Sequence, residues 1–177
     1  MKIIVPVKQV PATDSVVMDE ATGTMVRDGV VSIVNPADLH AIELALQLRE
    51  KFGGSVTAIS MGPAAAKVAL REAISMGCDD AVLLSDRAFA GADTYATAHV
   101  LQGAVEKIGD ADLVICGERA TDGETGQVGP GLAGMLNGPA VTFVGTINWD
   151  ASSAEQLKLH RRVEAGQQVL NVATPAV

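Results

Sequence analysis

The residues best placed to do chemistry lie in the run Gly117-Glu118-Arg119-Ala120-Thr121-Asp122-Gly123-Glu124-Thr125-Gly126-Gln127-Val128-Gly129-Pro130. Gly123, Gly126 and Gly129 recur at every third position and leave nearby backbone N–H groups uncovered by side chains, while Thr125 and Gln127 add polar donors. Such amides at the start of a helix, with the helix dipole behind them, hold a phosphate without any lysine. The run is neither a Walker loop nor a Gly-x-Gly-x-x-Gly dinucleotide motif. A glycine-rich connector closed by an ordinary helix cap is the plain alternative.

Other positions carry weaker signals. Asn35-Pro36-Ala37-Asp38 combines a good N-cap, a proline suited to the first helical position and an acid at the positive helix end, a set that starts a helix with or without a ligand. Gly91-Ala92-Asp93-Thr94 opens a second helix, and Thr94 and Thr97 share one face of it at three-residue spacing, which capping alone also accounts for. Lys8, after the first apolar run, is the one cation at that edge, there to offset a phosphate or simply to lie on the surface. Catalytic constellations are absent: there is no Gly-x-Ser-x-Gly elbow, and His40, His99 and His160 are scattered. Cys78 and Cys116 lack metal-ligand spacing and read as small apolar residues in a reducing compartment.

The elements that must position these residues alternate. Lys2–Val7 is a nearly continuous apolar run, the pattern of a strand covered on both faces. Residues 14–34 read as a turn-rich, hairpin-like excursion, and a helix with a broad apolar stripe follows from Pro36 to Gly53-Gly54. Strands are expected at Ser55–Met61, Ala81–Ser85, Asp112–Cys116 and Pro139–Asn148. Helices are expected from Gly62-Pro63 to about Gly77, from Asp93 or Thr94 to about Lys107, and from the glycine loop to about Leu136. Gln156–Val172 is more polar and reads as an antiparallel extension. Strands alternating with helices predict an α/β fold with a doubly wound, mainly parallel sheet, in which ligands sit beyond the carboxyl ends of the strands.

Composition agrees with a single folded domain spanning residues 1–177. The chain is 48% hydrophobic and 19% charged, with a formal charge of −8 and no basic cluster, which argues against a nucleic-acid partner. The first residues lack the long apolar region of a signal peptide, and no apolar run approaches the ~18 residues of a membrane span. A cytoplasmic protein is expected.

Taken together, these segments resemble the beta subunit of electron-transfer flavoproteins, the FixA-like family. Val7-Lys8-Gln9-Val10-Pro11, Asn35-Pro36 with the helix Ala41–Leu48, Ser60-Met61-Gly62-Pro63 and Ala73-Ile74-Ser75-Met76-Gly77-Cys78-Asp79 all match its motifs, and Gly117 to Pro130 is the strongest match. The likeness runs from residue 2 to about 149. It implies an adenine-nucleotide-binding fold that pairs with an alpha subunit, whose mobile domain carries an electron-relaying FAD. Matched positions put the beta subunit's own nucleotide against Pro6, Asn35, Pro36, Ala37, Asp38, Met61, Gly123, Glu124, Thr125, Gly126, Gln127, Val128 and Gly129, with Gly134 at the margin and Thr94 and Thr97 added. The stretches Asp86–Thr94 and Met18–Val30 resemble the electron-bifurcating branch, in which that nucleotide is FAD and takes a hydride from NADH. FAD is therefore expected, with AMP as the alternative.

Glu124 and Gly126 stand where many relatives have Asp and Ala, and both keep the loop open. Relatives continue past a segment like Thr174-Pro175-Ala176-Val177 into a loop that docks an acyl-CoA dehydrogenase and an arm that embraces the alpha subunit, so that docking segment is expected to be missing here. The chain is expected to be an electron-carrier subunit, not catalytic alone. The competing expectation is a stand-alone adenine-nucleotide module of the universal-stress type. A ligase or sulfurtransferase of related fold would need a Ser-Gly-Gly-x-Asp-Ser loop after the first strand, and Lys8-Gln9-Val10-Pro11 is not one.

Overall fold

A computed structural model describes residues 1–12, 31–149 and 156–177. Strand β1 (Lys2–Pro6) lies at its centre, and Ile3, Ile4 and Val5 are each 0% exposed, as expected of a strand covered on both faces. Burying each of them contributes roughly 1.5–3 kcal/mol. Their side chains alternate between two cores. Ile3 and Val5 pack with Ala41, Ile42, Ala45, Leu46 and Leu48 of helix α1 (Pro36–Phe52) and with Leu70 and Ala73 of α2 (Lys67–Met76). Ile4 packs on the other face with Ala98, Leu101, Ala104 and Val105 of α3 (Thr94–Ile108) and with Leu132 of α4 (Val128–Met135).

Four parallel strands form the central sheet: β1, β4 (Ser55–Met61), β5 (Asp80–Leu84) and β6 (Leu113–Val114), in the order β5-β4-β1-β6. Helices on both faces make it doubly wound, as the sequence pattern predicts. The strand order reverses beside β1, so the carboxyl ends of β1 and β6 flank the crevice where such sheets bind ligands. Proline at N1 and Asp38 in the first turn open α1, Arg49 and Lys51 sit in its last turn, and Gly53 ends it at φ 74°.

Between β1 and α1, β2 (Gln9–Pro11) pairs antiparallel with β3 (Ser32–Val34), which gives the expected excursion a paired stem. Residues 13–30, including the Met18–Val30 stretch, lie outside the described residues.

Two strand expectations need correction. Strand β6 is shorter than Asp112–Cys116. Ile115 N–H still donates to Ile4 O at 2.9 Å, but the chain then turns so that Gly117 lies against the start of α1. The stretch Pro139–Asn148 does not extend the parallel sheet. It becomes β7 (Val144–Trp149) after Phe143, whose φ of 58° breaks the extended path. β7 pairs with the hairpin β8 (Gln156–Val163) and β9 (Gly166–Ala173) in a separate three-stranded antiparallel sheet. Leu157, Leu159 and Val172 of that sheet join the core shared by β1 and α1. No helix among the described residues is long and apolar enough to cross a membrane.

Candidate functional site

The strand reversal brings three chain segments to one edge: the exit of β1, the entry of α1 and the loop after β6. Asn35 is 0% exposed and occupies the cap position of α1, yet its side chain makes no capping bond. Its Nδ2 instead donates to Asp38 Oδ1 and to Arg119 O, each at 2.9 Å, and its Oδ1 accepts from Thr121 N–H at 3.2 Å. The expected cap is a bracket across the crevice. Asp38, also buried, accepts from Lys8 N–H through Oδ2 at 2.7 Å, so each of its carboxyl oxygens has a donor. A Cβ at Gly117 would collide with Asp38 Oδ1 and approach Ala37 C to 2.9 Å, so the loop can lie this close only with glycine there.

Lys8 is neither a free countercharge nor an idle surface residue. Its Nζ lies 2.6 Å from Asp122 Oδ1, and the Asp122 side chain is only 6% exposed. The pair ties the exit of β1 to the middle of the loop.

Burial pushes the Asp38 carboxyl up from its ordinary 3.8 to about 6, against the opposing pull of the Asn35 and Lys8 hydrogen bonds and the Lys8 charge. Burial, with a smaller push from Asp38, raises the Cys116 thiol to about 12, so it stays protonated and is no nucleophile at neutral pH. Cys78 is buried and also raised by burial. Both cysteines are free thiols, and no group of acids, histidines and cysteines among the described residues is arranged to hold a metal.

The loop itself departs from one expectation. The amides of Gly123 and Glu124 are not open, because both donate to Ala120 O, at 3.3 and 2.8 Å, closing a tight turn. Beyond that turn Gly126 takes φ 62°, and the amides of Thr125, Gly126, Gln127, Val128 and Gly129 have no partner among the described residues. They lead into the first turn of α4, where orphan N–H groups and the dipole favour an anion. A Cβ at Gly129 would lie 3.4 Å from the Cys116 Cβ, so this glycine seats the helix start on the end of β6.

The remaining expected residues are placed less closely. Pro6 and Met61 end β1 and β4, half-buried at the same carboxyl edge. Pro36 is exposed at the first position of α1. Thr94 and Thr97 start α3, capped by the Asp93 carboxylate on Ala96 N–H at 2.8 Å. α3 meets α4 where a Cβ on Gly131 would lie 3.4 Å from that of Ala98. Gly134 is exposed in α4, with open space at its Cα. Sequence reasoning missed the Asp122 anchor, the close approach at Gly117 and the buried Ser60 hydroxyl, which has no hydrogen-bond partner among the described residues and precedes Met61 in β4. No local pattern signals these, since each depends on a neighbour distant in the chain.

A family model described as an electron transfer flavoprotein domain matches residues 22–177. The electron transfer flavoprotein subunit beta of Thermoanaerobacterium thermosaccharolyticum is 51% identical over 177 residues, which are 100% of this chain and 66% of that protein. Protein FixA of Azotobacter vinelandii is 42% identical over 100% of this chain and 64% of its own length. The caffeyl-CoA reductase-Etf complex subunit CarD of Acetobacterium woodii is 45% identical over 100% of this chain and 67% of its own length. The chain thus spans about two thirds of the length of these curated relatives.

Proposed function

This chain belongs to the electron transfer flavoprotein family, in its beta-subunit and FixA-like branch, and from that premise we propose that it binds FAD at the carboxyl edge of its parallel sheet and passes electrons as one member of a subunit pair. The observation that carries the reading is the loop after β6, strapped to the crevice by Asn35 and Lys8, with amides from Thr125 to Gly129 at the start of α4 that have no partner among the described residues. Those amides fit a diphosphate or phosphate, and no lysine needs to be released to receive it. In this reading Asn35, Ala37 and Asp38 hold the loop, Pro6, Pro36 and Met61 line the edge, and Thr94, Thr97 and Gly134 stand at its margin. Residues 1–177 form one nucleotide-binding unit, a reading supported by the core that the antiparallel sheet shares with β1.

A flavin held by these amides would supply the redox chemistry of the pair, with NADH as a proposed hydride donor. The chain's own contribution is to bind, orient and shield the group. Burial holds the Cys116 thiol protonated, so it adds no nucleophile to that edge. The partner in this proposal is a flavin-carrying alpha subunit, with an acyl-CoA dehydrogenase or similar protein as redox partner, in the cytoplasm. Relatives named as subunits of a caffeyl-CoA reductase-Etf complex and of an acryloyl-CoA reductase support a paired role. The universal-stress and ligase readings lose their ground to the family match.

The test is the nucleotide content of the pair. Acid release from the alpha–beta complex followed by chromatography should yield two FAD per pair. One FAD with one AMP would move this chain to the AMP-binding branch, and no adenine nucleotide beyond the alpha subunit's flavin would sink the site assignment.

A further inference from the structure

Tyr95, the second residue of α3, is 73% exposed, the most exposed large apolar side chain among the described residues. Neither the helix nor the core needs it there. The Asp93 carboxylate caps α3 through Ala96 N–H, and Ala98, Leu101, Ala104 and Val105 already seat the helix on the sheet. The packing of α3 against α4 fixes where Tyr95 stands. Gln102 Nε2 donates to Met135 O at 3.3 Å, and a Cβ on Gly131 would lie 3.4 Å from that of Ala98. Both contacts join residues 33 positions apart, so the two helices run side by side in one register. One turn nearer the helix starts, that register sets Tyr95 opposite Val128, the first residue of α4. Tyr95, Ala98 and Gln102 stand at i, i+3 and i+7, a single stripe facing α4. The stripe runs out of side chains to pack on at Tyr95, because α4 begins there. What stands beside the ring instead is the run of amides that have no partner among the described residues.

We propose that the flavin ring of bound FAD stacks on Tyr95, and that this contact sets the preference for FAD over AMP, an inference that rests on the FAD reading above. A diphosphate seated on the amides of residues 125–129 has two arms. The adenosine arm takes the edge where Pro6 and Met61 end β1 and β4. The other arm crosses towards α3, whose axis lies about 8–10 Å from that of α4, a span that a ribityl chain bridges. Its ring then arrives over Tyr95, and a tyrosine ring gains from stacking on a planar ring beyond the apolar area it buries. AMP has no second arm, so Tyr95 adds nothing to its binding. An exposed tyrosine could also serve as a contact for the alpha subunit. That use would leave its alignment with the start of α4 unexplained.

The experiment uses the alpha–beta pair, with the alpha subunit's flavin in place and the beta site emptied of nucleotide, titrated calorimetrically with FAD and with AMP. Tyr95→Ala should weaken FAD binding about tenfold, as the loss of one ring stack does, and leave AMP within about twofold of wild type. Tyr95→Phe keeps the ring and should bind both nucleotides within about twofold of wild type. An exposed helical position accepts alanine without loss of the fold, so the first variant remains readable. Unchanged FAD affinity in Tyr95→Ala overturns the proposal, as does an equal loss for FAD and AMP. A loss in Tyr95→Phe as large as in Tyr95→Ala would assign the effect to the hydroxyl and overturn stacking. Dissociation of the pair with FAD affinity kept would make Tyr95 a subunit contact instead. A wild-type pair whose emptied site takes up AMP alone, or neither nucleotide, fails the FAD reading itself and this inference with it, before any variant is compared.

Discussion

The Asn35 side-chain amide donates to the carbonyl of Arg119, 84 residues further along the chain, at 2.9 Å. With Thr121 N–H returning to the Asn35 Oδ1 and Asp38 held by the same amide, one buried side chain joins the entry of α1 to the loop after β6. The loop is thus set in place by the protein's own bonds before any ligand arrives, which is how a binding site lowers its ordering cost.

Removing the bracket should cost both stability and loop order. Asn35→Ala leaves the Thr121 amide and an Asp38 oxygen without their partner, and each buried polar group so stranded costs about 1–3 kcal/mol. Urea unfolding should show a loss of about 2–4 kcal/mol, and amide exchange should speed up in residues 118–122 ahead of the rest of the chain. A variant as stable and as protected in the loop as wild type would show that the bracket holds nothing.

Asp38 should make stability depend on pH. Its carboxyl is raised in the folded state from 3.8 to about 6, so the folded protein binds that proton more tightly than the unfolded chain. The contribution is therefore full below about pH 4 and is lost as pH rises through 6, by at most about 3 kcal/mol. Unfolding midpoints of wild type minus Asp38→Asn, measured at pH 4, 5, 6 and 7, should fall across that window. A flat difference would place the titration elsewhere.

The Lys8–Asp122 pair should respond unequally to its two halves. Lys8→Met strands a carboxylate that is 6% exposed, at a cost of about 1–3 kcal/mol. Asp122→Asn frees a lysine that is already 47% exposed, and costs under about 1 kcal/mol. Denaturant titration of both variants checks the order. Equal effects, or the reverse order, would mean that the ion pair does not anchor the loop.

Nucleotide retention should depend on Gly126. At φ 62° an alanine adds strain of about 1 kcal/mol, and its Cβ would sit 3.4 Å from Glu118 O. Gly126→Asp adds a negative charge beside the open amides as well, and should lower nucleotide affinity at least about tenfold beyond Gly126→Ala. The released nucleotide per folded protein, measured by absorbance, is the readout. Wild-type occupancy in the folded aspartate variant would remove this loop from the site.

The elements of this protein were legible because each is written locally. Pro36 and Asp38 at one end of α1 and Gly53 at the other bound a stripe of 3.6 period, and the uninterrupted Ile3-Ile4-Val5 announces a strand covered on both faces. The Gly117–Pro130 run is legible in the same way, as a loop entering a helix. What a side chain or a strand pairs with is not local, and there the reading failed or stopped. The apolar pattern from Pro139 to Asn148 is the same for a fifth parallel strand as for a strand of another sheet, and only the turn at Phe143 decides between them. Asn35 has the chemistry of a cap, but the carbonyl of Arg119 and the amide of Thr121 compete for it, and they come within reach only once β6 lies beside β1. Lys8 meets Asp122, and Gly117 meets Asp38, for the same reason. Periodicity and capping are properties of neighbours in the chain, whereas the brackets that set this site are bonds between segments that the strand order alone brings together.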